Sequence, residues 1–355
     1  IAVARFIRGW APPGPSDRAP PVAGWHDYVA TFGGLHPESA LGYGVAQFFA
    51  NGGQQAVVVR VGGDTPLEPD GDAFRDALAT DGRARLGEAP PYNLLVVPGL
   101  TGRACLAELA MLCQERRAFL VADASNVMDL DLLAAVPGAA RHNAAIYYPW
   151  IRLPDPLQGG IVRAFPPSAA VAGVYARTDA AQGVWTSPSG MATVIRGAAG
   201  TARALTEAAF HLLNGRAINT LGMFPGRGTI VWGSRTCGGA DGEPETWKYV
   251  PVRRTALFIE ESVRRGLAWT ATEANDAMLW MAIREQVATF LDGCRARGAF
   301  RAATPRDAYF VRCDATTTTQ ADIEAGIVTL HVGFAPGRPG EFVVLRLRLP
   351  AGAPG

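Results

Sequence analysis

Residues 93–123, NLLVVPGLTGRACLAELAMLCQERRAFLVAD, place two continuous apolar runs, NLLVV from Asn93 and AFLVAD from Ala118, on either side of a helical pattern. Between Thr101 and Arg117 the residues Leu106, Leu109, Leu112 and Cys113 recur at helical spacing and mark an inward face. Strands apolar on both faces that alternate with helices imply a parallel sheet covered on both sides. Working upstream, AVVVRV (residues 56–61) reads as another buried strand. It follows a helix over 37–50 whose inward residues are Leu41, Val45, Phe48 and Phe49, with Asn51-Gly52-Gly53 as its stop. Downstream, AAIYY (144–148) repeats the strand signal, so the central region is expected to be α/β.

Residues 62–91 are rich in Gly, Pro, Asp and Ala and are expected to form a surface excursion, with a short helix around Phe74 to Leu78. Thr206 is positioned to cap the helix TEAAFHLL, and TIVW (229–232) reads as a further buried strand. After the loop SRTCGGADGEPE the composition shifts, which places a domain boundary near Asp241. Beyond it lies a helix from Val252 to Arg265 with Leu257, Phe258, Ile259 and Val263 inward. A longer helix, capped by Asn275, carries Leu279, Ile283, Val287, Phe290, Leu291 and Cys294 on one stripe and Arg284, Glu285, Asp292 and Arg295 off it. Residues 327–334 and 341–349 alternate apolar and polar side chains across the linker APGRPG, the pattern of a hairpin with one buried face.

The chain has 355 residues, 48% of them hydrophobic, enough for a large core in two or three subdomains. Its 33 basic and 32 acidic residues leave a net charge of +1, which gives no general attraction to nucleic acid or an anionic membrane. No apolar run is long enough to span a bilayer, and IAVARFIRGW lacks the features of a signal peptide, so a soluble, cytoplasmic product is expected. Residue 1 is Ile rather than Met, which leaves room for a leader or an N-terminal arm before it. Cys105, Cys113, Cys237, Cys294 and Cys313 lack CxxC spacing and read as packed thiols.

Ser189-Gly190-Met191-Ala192 resembles the surroundings of a subtilisin nucleophile, but Gly190 interrupts the match and no histidine has the context such a serine needs. His26, His36, His142, His211 and His331 share no metal-binding helical spacing. Gly42-Tyr43-Gly44 falls inside a helix pattern, and PGRGTIVWG lacks the GK[ST] of a phosphate loop. No catalytic residue, cofactor or metal is expected.

Three stretches in order resemble the sheath proteins of contractile phage tails, R-type bacteriocins and extracellular contractile injection systems. They are FGG from Phe32 with GVAQFFANGGQQAVVVRV; NGRAINTLGMFPGRGTIVWGSRT from Asn214 with WKYVPVRRTALFIEESVRRG; and NDAMLWMAIREQVATFLDGCRARGAFRAATPRDAYFVRCD through GRPGEFVVLRLRL. YYPWIRLPDP from Tyr147 and PPSAAVAGVYARTDAAQGVWTSPSG from Pro166 fit the same family.

The resemblance implies an α/β core similar to a subtilisin-like domain without an enzyme's triad, over residues 1–240 with the excursion at 62–91. It also implies a C-terminal α+β domain over 241–355 that ends in a β-hairpin. The implied function is a structural, non-enzymatic subunit that polymerises as stacked six-membered rings around an inner tube and contracts to drive the tube through a target envelope. Partners implied are further copies of the chain, the inner tube protein, and baseplate and terminal cap proteins, with no nucleic acid and no direct membrane insertion. Assembly is expected in the cytoplasm. A static shell or baseplate component, or a serine hydrolase-like enzyme using Ser189 or Ser234, is the alternative.

The family links neighbours by arms that add strands to a sheet, and the candidate linking strand is Phe342, Val343, Val344, Leu345, Arg346, Leu347, Arg348 and Leu349. By the same resemblance, Arg284, Glu285, Asp292 and Arg295 mark a candidate tube-facing helix.

Overall fold

The computed structural model describes residues 4–11, 14–15, 19–61, 71–77, 92–126, 136–302, 304–337 and 340–352, with residues 4–9 and 245 described as backbone. The chain divides into two compact units, residues 1–182 with 187–253, and residues 183–186 with 254–355.

In unit 1 the elements run β1 (Ala4–Gly9), β2 (Pro21–Val22), α1 (Trp25–Phe32), α2 (Ala40–Ala50), β3 (Ala56–Arg60), α3 (Asp72–Ala77), β4 (Tyr92–Val96), α4 (Arg103–Arg116), β5 (Phe119–Asp123), β6 (Ala144–Tyr148), β7 (Ile151–Asp155), β8 (Ile161–Phe165), α5 (Ser168–Gln182), β9 (Gly200–Thr201), α6 (Glu207–Gly215), β10 (Ile218–Phe224) and β11 (Gly228–Val231). Unit 2 contains the rest of α7 (Val250–Gly266), which begins in unit 1, then α8 (Ala277–Ala296), α9 (Pro305–Ala308), β12 (Tyr309–Arg312), α10 (Gln320–Glu324), β13 (Ile327–Phe334) and β14 (Val343–Pro350).

Among the described residues, unit 1 is built on an eight-stranded sheet in the order β11-β10-β6-β5-β4-β1-β3-β2. The six inner strands are parallel, as the continuous apolar runs implied. The sheet is mixed rather than wholly parallel, because β2 and β11 run antiparallel at its edges. TIVW thus closes the sheet as an edge strand instead of joining its parallel centre.

Alternation along each strand divides the core into two layers. Val57, Val59, Leu95, Leu120, Ala122, Ile146 and Tyr148 pack with Leu106, Leu109 and Cys113 of α4 and Leu213 of α6. The intervening Val58, Leu94, Val96, Phe119, Val121 and Tyr147 are equally buried and face the other layer, where the Tyr147 and Tyr175 hydroxyls meet. Ser39 starts α2 by accepting a bond from the Gly42 N–H at 3.2 Å, and Thr206 starts α6 as expected by accepting from Ala209 N–H at 3.2 Å.

Gly173 on α5 lets that helix approach α2. A Cβ there would lie 2.5 Å from the Phe48 carbonyl oxygen and 2.7 Å from Asn51 Cβ. Backbone cannot retreat as a flexible side chain can, so Gly173→Ala is expected to destabilise unit 1 by about 2 kcal/mol, read as a fall in the thermal midpoint. An unchanged midpoint would show that the helices separate freely.

The segment after β11 stays with unit 1. Asp241 N–H donates to Gly215 O at 2.8 Å, Thr236 N–H to Lys248 O at 3.0 Å, and Arg235 pairs with Asp241 at 2.7 Å. The compact units divide farther along, between Arg253 and Arg254 inside α7. Of the expected excursion at 62–91, only residues 71–77 are described, and they hold α3; the remainder lies outside the described residues.

In unit 2 the α8 stripe of Leu279, Ile283, Val287, Leu291 and Cys294 is buried as its spacing indicated. The helix cap differs from expectation. Asp276, whose backbone is extended, accepts from Met278 N–H and Leu279 N–H at 2.9 Å each. Asn275 instead donates to Ile327 O and accepts from the Trp280 indole, both at 2.9 Å, and so fastens the helix start to β13. The sheet order is β12-β13-β14, antiparallel throughout, with β14 on an edge.

Candidate functional site

Three places in the chain combine accessible groups with a defined geometry, and the first is the outer edge of β14. Its side chains alternate strictly, with Val343, Leu345, Leu347 and Leu349 buried and Val344 52% exposed. That pattern fixes the faces; hydrogen bonding fixes the edges. In an antiparallel ladder, opposed residues alternate between pairs that exchange both backbone bonds and pairs whose groups point away. Ala351 N–H donates to Gly326 O at 2.8 Å, continuing the register that sets Ile327 opposite Pro350.

The bonded phase therefore falls on Leu349, Leu347, Leu345 and Val343, while the backbone groups of Val344, Arg346 and Arg348 point away from β13. The far end of that edge is partly covered by the chain itself. Arg264 Nη1 lies 3.4 Å from Arg348 O, and Thr270 Oγ1 donates to Pro350 O at 2.8 Å. The open part of the edge centres on Val344 and Arg346. Sequence alternation located the strand but could not locate this half of it.

Helix α8 is the second place. Arg284 donates through Nη1 to Cys313 O, Asp292 accepts from Arg295 Nε at 2.8 Å, and Glu285 is exposed. Three of the four charges singled out on this helix are thus half-buried, and three hold bonds within unit 2. The exposed face also carries Met278, 68% exposed, and Met281, 40% exposed. The sequence signal for these two was available: they are apolar positions that fall off the buried stripe.

The third place is a cleft of about 350 Å³ in unit 1, lined in part by Ser187, Ser189, Ser234, Asn214, Trp232 and Tyr249. Ser187 Oγ lies 2.9 Å from Ser189 Oγ and donates to Ser234 Oγ at 2.8 Å. The structure therefore brings together the two serines considered as nucleophiles. Among the described residues no histidine or carboxylate lines the cleft, so these residues offer a serine no group to take its proton.

The expected histidines are dispersed. His36 meets the edge of Trp10 at 5.2 Å, exposed His211 lies 3.9 Å from Glu207, and burial together with Arg253 and Arg141 lowers the pKa of His142. Among the described residues, no three His, Cys, Asp or Glu side chains converge as a metal site, and no helix is long and apolar enough to cross a membrane. All five cysteines are buried, and burial pushes the Cys237 thiol up to about 12.

The family described as phage tail sheath protein central domain matches residues 77–237. A prophage major tail sheath protein of Pseudomonas aeruginosa (strain UCBPP-PA14) is 26% identical over 307 residues, covering 81% of this chain and 75% of the relative. The PVC sheath complex of an extracellular contractile injection system, solved in the contracted state, superimposes with a TM-score of 0.78 at 28% identity, covering 98% of this chain and 91% of that one.

The chain is similar to the contractile tail sheath proteins. The helical sheath of the anti-feeding prophage, also contracted, agrees at a TM-score of 0.77 and 29% identity over 98% of this chain and 92% of that chain. These homologues are contractile sheath subunits of tail-like injection systems.

The charges on α7 are largely engaged within the chain. Arg253 donates to Asn143 Oδ1 at 3.0 Å and lies over the Trp247 ring at 4.7 Å, Arg265 pairs with Glu261 at 2.6 Å, and Arg254 is buried.

Proposed function

We propose that this protein is the structural subunit of a contractile sheath. It polymerises as stacked six-membered rings around an inner tube, joins a baseplate and a terminal cap, and contracts to drive the tube through a target envelope. The observation that carries this reading is the agreement of almost the whole chain, both units included, with subunits solved in contracted sheaths.

In this reading the core over residues 1–240 is a subtilisin-like α/β domain that has no catalytic role. The six-strand parallel run, with β1 between β3 and β4, supports that core, and the cleft around Ser187, Ser189 and Ser234 lacks a base. Residues 241–355 form the linking domain. Strand 342–349 accepts a neighbour's strand at the open edge of Val344 and Arg346, and α8 faces the tube through Met278, Met281 and Glu285. Subunits assemble in the cytoplasm and take no cofactor.

Contraction requires two packings of one subunit that differ in free energy, and a chain of net charge +1 can be packed densely without strong self-repulsion. Purified protein imaged by negative-stain electron microscopy should form ribbed hollow cylinders. Flat or closed particles would instead identify a static shell, and dispersed monomers with esterase or peptidase turnover an enzyme.

A further inference from the structure

The small sheet of unit 1 ends on β8, in the order β8-β7-β9. Its tip exposes aliphatic side chains that a solvated hairpin would not retain: Leu157 is 46% exposed, Ile161 63% and Val162 37%. The phase of the ladder can be read here too. Ala202 N–H donates to Trp150 O at 2.7 Å, continuing the register that pairs Ile151 with Thr201, so the even positions of β7 face β9 and the odd positions face β8. Asp155, Leu153 and Ile151 are accordingly bonded to Ile161, Arg163 and Phe165, and the backbone groups of Val162 and Ala164 point to the open edge.

The hairpin is tied down beside its turn, where Asp155 ends β7 opposite Ile161. Fully buried Asp155 accepts from Tyr43 OH at 2.8 Å, Leu157 N–H at 2.9 Å and Arg163 Nη1 at 2.6 Å. Burial alone would raise its pKa, but these three donors hold it below the usual carboxylate value. The Tyr43 ring packs on Phe165 at 4.8 Å. The Arg163 side chain, 37% exposed, is committed to Asp155, and β8 carries no proline.

We propose that the β7–β8 hairpin is a second contact between copies of this chain, in which the open edge of β8 takes an extended segment of a neighbouring copy. The inference rests on the sheath reading above and goes beyond it, because it places a contact on unit 1, away from β14. Three partly exposed aliphatic side chains offer far less than the ~800 Å² per partner of a free-standing interface. A patch this small fits a neighbour already tethered elsewhere, where high effective concentration makes a weak contact count. Copies in a linked array meet that condition, whereas an independent soluble partner does not. Backbone donors and acceptors on an open strand also call for another polypeptide strand rather than a small molecule. A hairpin tied down at its turn lowers the ordering cost of the contact.

The test uses full-length wild type, Val162→Pro and Leu212→Lys, the last at a 50% exposed site on α6. Val162→Pro removes an outward N–H without touching a bond to β7. Assembly is measured by sedimentation and electron microscopy, and folding by thermal melting. The pelletable fraction should fall about tenfold for Val162→Pro at an unchanged melting midpoint, with Leu212→Lys assembling normally.

If Val162→Pro melts early, Ile161→Lys replaces it, since that side chain is the most exposed of the three. Normal assembly by the hairpin variant, or equal loss with Leu212→Lys, overturns the proposal. So does a hairpin variant that assembles fully yet no longer retains the inner tube, which would assign the edge to another protein. Wild type that never polymerises would sink the sheath reading itself.

Discussion

Asp123→Ala is expected to destabilise unit 1 by about 3–5 kcal/mol, because a buried charged acceptor would leave several donors unsatisfied. Asp123 is the last residue of β5 and is fully buried. Its Oδ2 accepts from Gly99 N–H at 2.9 Å and from Ser168 Oγ–H at 2.7 Å, while Oδ1 accepts from Ser168 N–H at 2.7 Å. Gly99 lies in the turn after β4, and Ser168 opens α5. One carboxylate therefore fastens two adjacent strand ends to a helix start and places negative charge at the positive end of that helix.

Replacing it with alanine strands two N–H groups and a hydroxyl where water cannot readily serve them. The thermal midpoint should fall by roughly 10 °C. Ser168→Ala removes the hydroxyl bond and leaves both N–H contacts, so its effect should be about 1 kcal/mol. If Asp123→Ala costs no more than Ser168→Ala, water replaces the carboxylate and the tie is not structural.

Nothing local in AFLVAD announces this role. Gly99 and Ser168 are remote in sequence from Asp123, and a single sequence gives no measure of such distant pairings. What periodicity did reveal was the elements whose signal is one-dimensional: the apolar runs that became β3, β5 and β6, and the stripes of α4 and α8. Their order across the sheet was hidden, since nothing in VVVR or NLLVV says that β1 lies between them.

The β7–β8 hairpin was hidden for another reason. IRLPD and IVRAF have neither a clean alternation nor an apolar run, because polar Asp155 is buried at the turn end while apolar Ile161 and Val162 beside it are exposed. At α8, neighbouring Asn275 and Asp276 are both plausible caps by residue type, and backbone geometry chose Asp276. The β14 edge marks the same limit, as period two reports which side chains are buried and is silent about which backbone groups are free.

That distinction determines how the linking strand should be tested. Arg346→Pro should abolish sheath assembly while leaving unit 2 folded. Deleting 342–349 is a poor probe, because it also removes buried Val343, Leu345, Leu347 and Leu349 and exposes β13. Arg346 lies on the outward phase of the ladder, opposite His331, so losing its N–H breaks no bond to β13. The internal cost is limited to drawing φ toward the proline value, about 1 kcal/mol.

Outward, the substitution deletes one of the few open donors and sets a ring where a neighbour's strand must lie. Each lost ladder bond is worth about 0.5–1.5 kcal/mol, and the loss recurs at every subunit in the array. Arg346→Ala separates backbone from side chain, since it discards the guanidinium and keeps the N–H. It should assemble as wild type does, whereas Arg346→Pro should remain soluble with a nearly unchanged melt. Equal failure of both variants would assign the link to the arginine side chain, and normal cylinders from Arg346→Pro would remove β14 as the strand that joins one subunit to the next.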